Sequence, residues 1–351
     1  MKKIALSFLM IVLCFGYATA QTVNMPSFSG VMFGDYFYYM SAHDGSLRDF
    51  NGFDLRRIDF AADYTISNTF SSEFRLEGDG TPNSLTPGGK FGVMVKDAWL
   101  RWQNIFQGSD LYFGVSPTPA FTVSENAWGH RFLEKTILDY NGIVPARDLG
   151  VDLRGNITGD GSLKYWVKLG NNSSNGPEFD KYKRVYAMFE VNPNPQFLFT
   201  IYADYAAAPL IFDPVDGISK SNDRFVASLF FNYNNGNDFS LGVEPFINLI
   251  QNNYAPTPIS PLENQTADGI SIWAWGSISP MVRLVGRFDY FDPNTDATLD
   301  NQGLILFGVD LLVDPHVILT PNIEIRTYDA PPINGGDGSD VIPRVTFFWQ
   351  F

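Results

Sequence analysis

The chain of 351 residues holds one cysteine, Cys14, and three histidines, His43, His130 and His316. Cys14 lies in the N-terminal apolar run, so the chain beyond it has no disulfide framework to draw on. The histidines fall in three different connections, and no pair has metal-ligand spacing, so neither a metal site nor a cofactor is expected. After that first run there is no stretch of about 18 apolar residues, the length that a helical membrane span requires. Lys and Arg number 24 against 38 Asp and Glu, a formal net charge of −14. A chain without basic excess is poorly suited to nucleic acid.

The N-terminal run has the form of an export signal. Lys2 and Lys3 precede IALSFLMIVLCFGYA, and Ala18-Thr19-Ala20 supplies the small residues that a signal peptidase needs. The run is short for a transmembrane anchor and ends in a cleavage site, so residues 1–20 are expected to be a signal peptide and 21–351 the mature domain. Leu13, just before Cys14, is the wrong size for lipoprotein cleavage.

What the chain does have is aromatic mass, 15% of residues with 31 Phe, spread in short segments where every second residue is apolar. In 53–66, Ile58, Phe60, Ala62, Tyr64 and Ile66 alternate with Arg57, Asp59 and Asp63. Such a period of two marks strands with two unlike faces. It recurs at 28–40, 70–78, 91–103, 111–117, 149–158, 163–170, 184–191, 197–206, 224–233, 239–249, 269–278, 282–290, 303–313, 317–328 and 342–351, giving sixteen strands with the first.

Alternation alone also suits a soluble sandwich. The connections separate the two. Those after the even-numbered strands are short (SNT, NIFQGSD, TGDGS, NPNPQ, NNGND, SP and DPH), whereas those after the odd-numbered ones are long, such as 41–52 and 250–268. One trimmed rim and one elaborated rim are the plan of a transmembrane antiparallel β-barrel in the outer membrane. The charges agree with it. A sandwich core would desolvate Arg57, Asp59, Arg75, Glu77, Asp97, Arg101, Asp152, Arg154, Lys164, Lys168, Arg283, Arg287, Glu324 and Arg326 at great cost. A water-filled lumen keeps them solvated while the alternate positions face lipid. Their carboxylate neighbours Asp59, Glu73, Asp97 and Asp289 are expected to pair with the wall arginines.

In the closing segment RVTFFWQF, Val345, Phe347, Trp349 and Phe351 share a register. They are expected to face lipid, with Phe351 in an aromatic girdle; an even strand number brings both termini to the periplasmic rim, and closure with the first strand leaves no sheet edge. The terminal aromatic resembles the signal read by the outer-membrane barrel assembly machinery.

The longest connection, 117–148, joins the fifth and sixth strands and is therefore the third loop of the elaborated rim. Loops of this length are functional or disordered, and Trp128, Phe132, Ile137, Leu138 and Ile143 argue that it docks. Either it folds into the lumen as a constriction or it packs over the outer rim. Its polar residues Glu125, His130, Arg131, Glu134, Lys135, Arg147 and Asp148 are then the candidate constriction, in front of the lumen wall named above.

FRLEG at 74–78, VKDAWLRW at 95–102, the long third loop, RDLGVDLRG at 147–155 and LVGRFDYFDPN at 284–294 occur in an order that resembles the phosphate-selective porin O and P family. The resemblance spans most of the mature chain. It implies a sixteen-stranded porin, a homotrimer, in which the third loop and lumenal basic residues select solutes. The third loop departs from the family's basic funnels, because Arg131, Lys135 and Arg147 face four acids, Glu125, Glu134, Asp139 and Asp148.

Other chemistry finds little support. The alternating oxygens of DPNTDATLD at 292–300 lack the central Gly and closing Glu of a calcium loop. Trp99, Trp102, Trp273 and Trp275 could form a sugar-stacking track, although Trp102 shares register with lipid-facing Ala98 and Leu100. A barrel enzyme acting on lipid and a plugged or adhesive barrel stand as rivals to a passive channel for small hydrophilic solutes or ions.

Overall fold

A computed structural model describes residues 25–80, 85–236 and 238–351; the expected signal peptide lies outside the described residues. Sixteen strands close into one antiparallel barrel, in which each strand pairs with its sequence neighbours and β1 (Ser27–Tyr38) pairs with β18 (Ser339–Gln350). Between them run β2 (Asn51–Thr65), β3 (Phe70–Asp79), β4 (Gly92–Phe106), β5 (Ser109–Pro117), β6 (Arg147–Asn156), β7 (Leu163–Gly170), β8 (Arg184–Asn194) and β9 (Phe197–Ala206). The circuit continues through β12 (Arg224–Asn234), β13 (Phe239–Tyr254), β14 (Glu263–Ser279), β15 (Val282–Asp292), β16 (Gln302–Asp314) and β17 (Val317–Tyr328). All sixteen expected segments are barrel strands. A two-stranded hairpin outside the barrel, β10 (Ile211–Asp213) and β11 (Ile218–Lys220), was not expected from the alternation.

The two faces of each strand meet different surroundings. Phe60, Phe74, Leu100, Phe113, Phe189, Ile201, Leu229, Ile247, Phe288, Ile305 and Val345 are exposed on one register, around the whole circumference. Apolar area of that extent is stable only against hydrocarbon. On the other register, Asp59, Asp97, Asp152, Asp204, Glu244, Asp310 and Glu324 are buried inside. No helix among the described residues is long and apolar enough to cross a membrane.

The short rim is built by one device used repeatedly. Ser67, Asp160, Asn194, Asn234, Ser279 and Asp314 each accept, through the side chain, a hydrogen bond from the N–H two residues on. These are Asx and Ser/Thr turns, which reverse the chain within a few residues. Donors from Thr158 and Ser162 hold the Asp160 carboxyl down to about 2. At the seam, Gly30 and Phe351 exchange backbone hydrogen bonds of 3.2 and 3.0 Å. A Cβ at Gly30 would stand 2.2 Å from the Phe351 ring, so a side chain there would displace the terminal ring from its present seat.

Two β-bulges place extra charge inside. Between Arg75↔Asp97 and Leu76↔Val95, β4 advances two residues while β3 advances one, and Lys96 is the residue without a partner. Between Phe33↔Arg57 and Asp35↔Asp54, β2 carries one residue more than β1, and Arg56 and Arg57 both reach inward partners. A bulge lets neighbouring residues share a face that strict alternation would divide.

Candidate functional site

Segment 117–148 lies against the inner faces of the strands. It carries two short helices, α1 (Thr122–Trp128) and α2 (Ile137–Tyr140). Its apolar residues form two cores with inward-facing wall residues. Phe121, Ile137, Leu138, Ile143 and Val144 pack with Trp166, Tyr186, Met188, Tyr202, Val226 and Phe246. Trp128, Phe132 and Leu133 pack with Phe33, Phe230, Trp273, Trp275, Val285 and Leu306. The Trp128 and Trp273 ring centroids are 5.2 Å apart. Burial of this many large side chains is the main force that seats the segment, at about 1.5–3 kcal/mol for each fully buried one.

Polar bonds fix where it sits. Ser124 Oγ donates to Glu244 at 2.9 Å, and His130 Nε2 lies 2.8 Å from Asp310 Oδ2. Three arginines from three strands reach its backbone carbonyls: Arg56 donates to Phe132 and Leu133, Arg344 to Leu133 and Arg287 to Lys135. An arginine fork suits carbonyls that a loop leaves without strand partners.

Behind the loop the wall is a closed network. Arg184 binds Asp204 bidentately at 2.7 and 2.9 Å, and Lys168 lies 3.3 Å from Asp152. Both cations are buried. Arg154 stacks on Trp166 at 3.7 Å and Tyr112 at 4.0 Å.

In front of the loop, facing β1–β4, the interior is open. Two cavities of about 540 and 400 Å³ lie toward the long-loop and short-turn ends respectively. They share Phe33, Arg57, Lys96, Glu125, Arg131 and Arg147, which therefore mark the neck between them. At this neck the wall is a chain of alternating charge. Arg57 lies 2.8 Å from Glu77, Lys96 lies 2.5 Å from Glu77 and 2.9 Å from Asp59, Arg75 lies 3.6 Å from Asp59 and 3.4 Å from Asp97, and Arg147 lies 2.9 Å from Asp97. Each acid is shared by two cations and is nearly buried, while Arg57, Arg75 and Arg147 keep 16–25% of their side-chain surface exposed. Water in the neck thus meets cations, with the carboxylates behind them. Across from the wall, Arg131 binds Glu125 at 3.0 Å and Asp139 at 3.2 Å.

The candidate residues divide accordingly. Glu125, Arg131, Glu134, Lys135, Arg147, Arg57, Asp59, Arg75 and Glu77 line one or both cavities. Asp97 stands just behind, as the partner of Arg75 and Arg147. His130 is 1% exposed and Asp148 and Asp152 are fully buried, so these three do not face the cavities. Arg287, paired with Asp289, and Glu324, paired with Arg326 and Arg344, lie under the loop. Arg326 touches a smaller opening with Tyr39, Glu134 and Arg344. Arg101 is held by Asp110 at 2.5 Å, and Arg283 stacks on Trp275 at 4.1 Å. Lys96 and Arg56 carry much of the site and were not singled out from the alternation; both stand at bulges. Trp273 and Trp275 are buried and Trp102 faces outward, so they do not form a stacking track. Asp292 and Asn294 accept N–H groups of the same turn, and no group of three or more metal-ligating side chains occurs among the described residues.

The barrel superposes on solved outer-membrane channels. An anion-selective porin from Comamonas acidovorans matches with TM-score 0.66 and 12% identity over 93% of this chain and all of the other. The outer-membrane channel DcaP of Acinetobacter baumannii gives 0.64 and 10%, covering 93% and 97%. The fold is that of the outer-membrane porins. OmpT of Vibrio cholerae, in a form described as a trimer, adds a third match at 0.60 and 14%, covering 93% and 99%. No protein-family model matches the chain, and no curated protein matches it significantly. Fold and apolar outer belt together make the chain a barrel of the bacterial outer membrane.

Proposed function

We propose that this barrel is a porin for passive diffusion of small hydrophilic solutes or ions, with segment 117–148 as the constriction. The observation that carries the proposal is the shared lining of the two cavities. Both open onto one face of the loop and onto the β1–β4 wall, while the lumen on the loop's other side is packed. Solute would pass Arg57, Lys96 and Arg147 on the wall and Arg131 and Glu125 on the loop, with size set by the gap between them and preference by the local field. No catalytic step is assigned to the site. Signal cleavage after Ala20, assembly from the C-terminal strand and a homotrimeric state belong to the same proposal. The exposed cations of the neck favour the finer resemblance to phosphate-selective porins, whereas the acids of the loop weigh against it.

Replacing 122–142 with a Gly/Ser bridge tests the constriction. The strands close without this segment, so the variant should insert, conduct more current in planar bilayers and admit larger sugars in liposome swelling. A variant that conducts like the parent would remove the loop from the solute path, and a natural protein that inserts without conducting would favour the plugged barrel.

A further inference from the structure

The bulge that carries Lys96 lies where the barrel wall is incomplete. On one edge β4 is paired with β3 through to Gly92. On the other, pairing with β5 stops at Ala98↔Val115, because Ser116 and Pro117 pair with β6 alone and the chain then turns inward as segment 117–148. Among the described residues, no strand lies beside that edge of β4 from Gly92 to Asp97. Backbone carbonyls in such a gap need donors from elsewhere. One side chain supplies two of them: Asn175 Nδ2 donates to the carbonyls of Val95 and Lys96, at 2.9 and 2.7 Å. The same residue lines the larger cavity.

Asn175 belongs to the connection between β7 and β8, and a tight turn aims it. The Asp148 carboxylate accepts the N–H groups of Asn172 at 2.8 Å and Ser173 at 3.3 Å, and the Gly176 N–H donates to the Ser173 carbonyl at 3.0 Å. Asn172 and Ser174 take left-handed backbone conformations, with φ of 62° and 57°. Residues other than glycine are uncommon there, and they stay where neighbouring contacts hold them. The Ser174 hydroxyl donates to Asn175 Oδ1 at 3.2 Å, which leaves the two amide hydrogens for the bulge.

We propose that Asn175 is a positioning residue for ion preference: it stands in for the missing strand and fixes the bulge so that Lys96 reaches the neck. The proposal rests on the channel reading above. Lys96 Nζ lies 2.5 Å from Glu77 and 2.9 Å from Asp59. Its own residue has no partner in the ladder with β3, so without the amide this stretch of backbone is held by its neighbours on one edge only. The freed carbonyls would meet water of the cavity, which limits the cost to folding. What changes is the field at the neck. With Lys96 held there less firmly, Glu77 and Asp59 are offset less, and preference moves toward cations. An outer-rim connection is thereby tied to the charge that a solute meets inside.

The test is the reversal potential of the full-length, membrane-inserted protein in a potassium chloride gradient. Lys96→Gln, which removes the charge, should move it toward cations and sets the scale. Asn175→Leu keeps the bulk of the side chain and removes both donors, and it should give half of that shift or more. Asn175→Gln keeps the amide and should stay near the natural value. In the Lys96→Gln background, Asn175→Leu should add little, because no charge is left to misplace. A merely structural Asn175 would change thermal stability and leave the reversal potential where it was. The proposal is overturned by an inserted Asn175→Leu protein with the natural reversal potential, by equal shifts from Leu and Gln at 175, by full additivity with Lys96→Gln, or by a Lys96→Gln protein that shifts nothing. If Lys96→Gln does not insert, the contrast of Leu with Gln at 175 decides; if Asn175→Leu does not, Asn175→Ala takes its place. These outcomes leave the channel standing, whereas a natural protein that inserts and carries no current defeats the channel reading itself.

Discussion

The two halves of the barrel interior are made from the same strand pattern and end in opposite states. From β6 to β16 segment 117–148 covers much of the inner wall, and charges such as Arg184 and Lys168 are as buried as the core of a soluble protein. From β1 to β4 the inward residues face open cavities, and Arg57 and Arg75 keep part of their surface. The difference teaches that a lumenal charge has no fixed energetic meaning. Under the loop, an ion pair is a structural commitment whose rupture leaves an uncompensated charge. Beside the cavity, it is a replaceable part in contact with water.

The largest effect that sharpens the contrast is expected at Arg184. Arg184→Ala strands Asp204 in a sealed site and should cost about 3–5 kcal/mol, while Arg57→Ala, whose Glu77 partner retains Lys96, should cost about 1 kcal/mol or less. Thermal unfolding of the purified, heat-modifiable proteins compares them, and equal losses would erase the distinction between the halves. A smaller effect separates the two faces of one strand. Phe60→Arg should cost about 2–4 kcal/mol if the position lies near the bilayer midplane, whereas Arg57→Glu should fold and shift reversal potentials toward cations. If the lumenal substitution abolished insertion and the outward one did not, the faces would be assigned the wrong way round.

The smallest expected effect lies outside the barrel. Asp213 accepts the N–H of Val215 and Leu262 and lies 2.6 Å from Lys220, and the Lys220 ammonium holds its carboxyl well below the usual aspartate range. A carboxyl depressed in the folded state contributes stability above about pH 4, and that contribution disappears as pH falls through the folded value. Hydrogen exchange over 211–220 should therefore remain slow at pH 5 and rise only below the usual aspartate range. Asp213→Asn should raise it at pH 7. Equal protection in the two proteins at pH 7 would show that the clasp does not hold the hairpin.

Much of this fold is legible in the sequence, because strand identity follows from a period of two and barrel closure from the long and short connections. The hairpin β10 and β11 is not legible, since three-residue strands are too short to show a period. Alternation assigns a residue to a face but does not say what will cover that face. Alternation puts Asp152 and Glu324 on the polar side, and the length of the third loop makes His130 and Asp148 constriction candidates; only the docked loop determines that all four are sealed. Lys96 and Arg56 escaped notice for another reason: at a bulge the period breaks, and the rule that finds wall residues everywhere else passes over them.

That break gives β4 an unusual genetic property. Without Lys96, Val95 would still face lipid and Asp97 the lumen, because the register on either side is in phase once the unpaired residue is skipped. Elsewhere in a strand, gain or loss of one codon would turn every residue beyond it inside out. At a bulge it changes a single letter. Such positions allow a barrel to acquire or discard a pore charge by a one-residue insertion or deletion, leaving the neighbouring membrane face as it was.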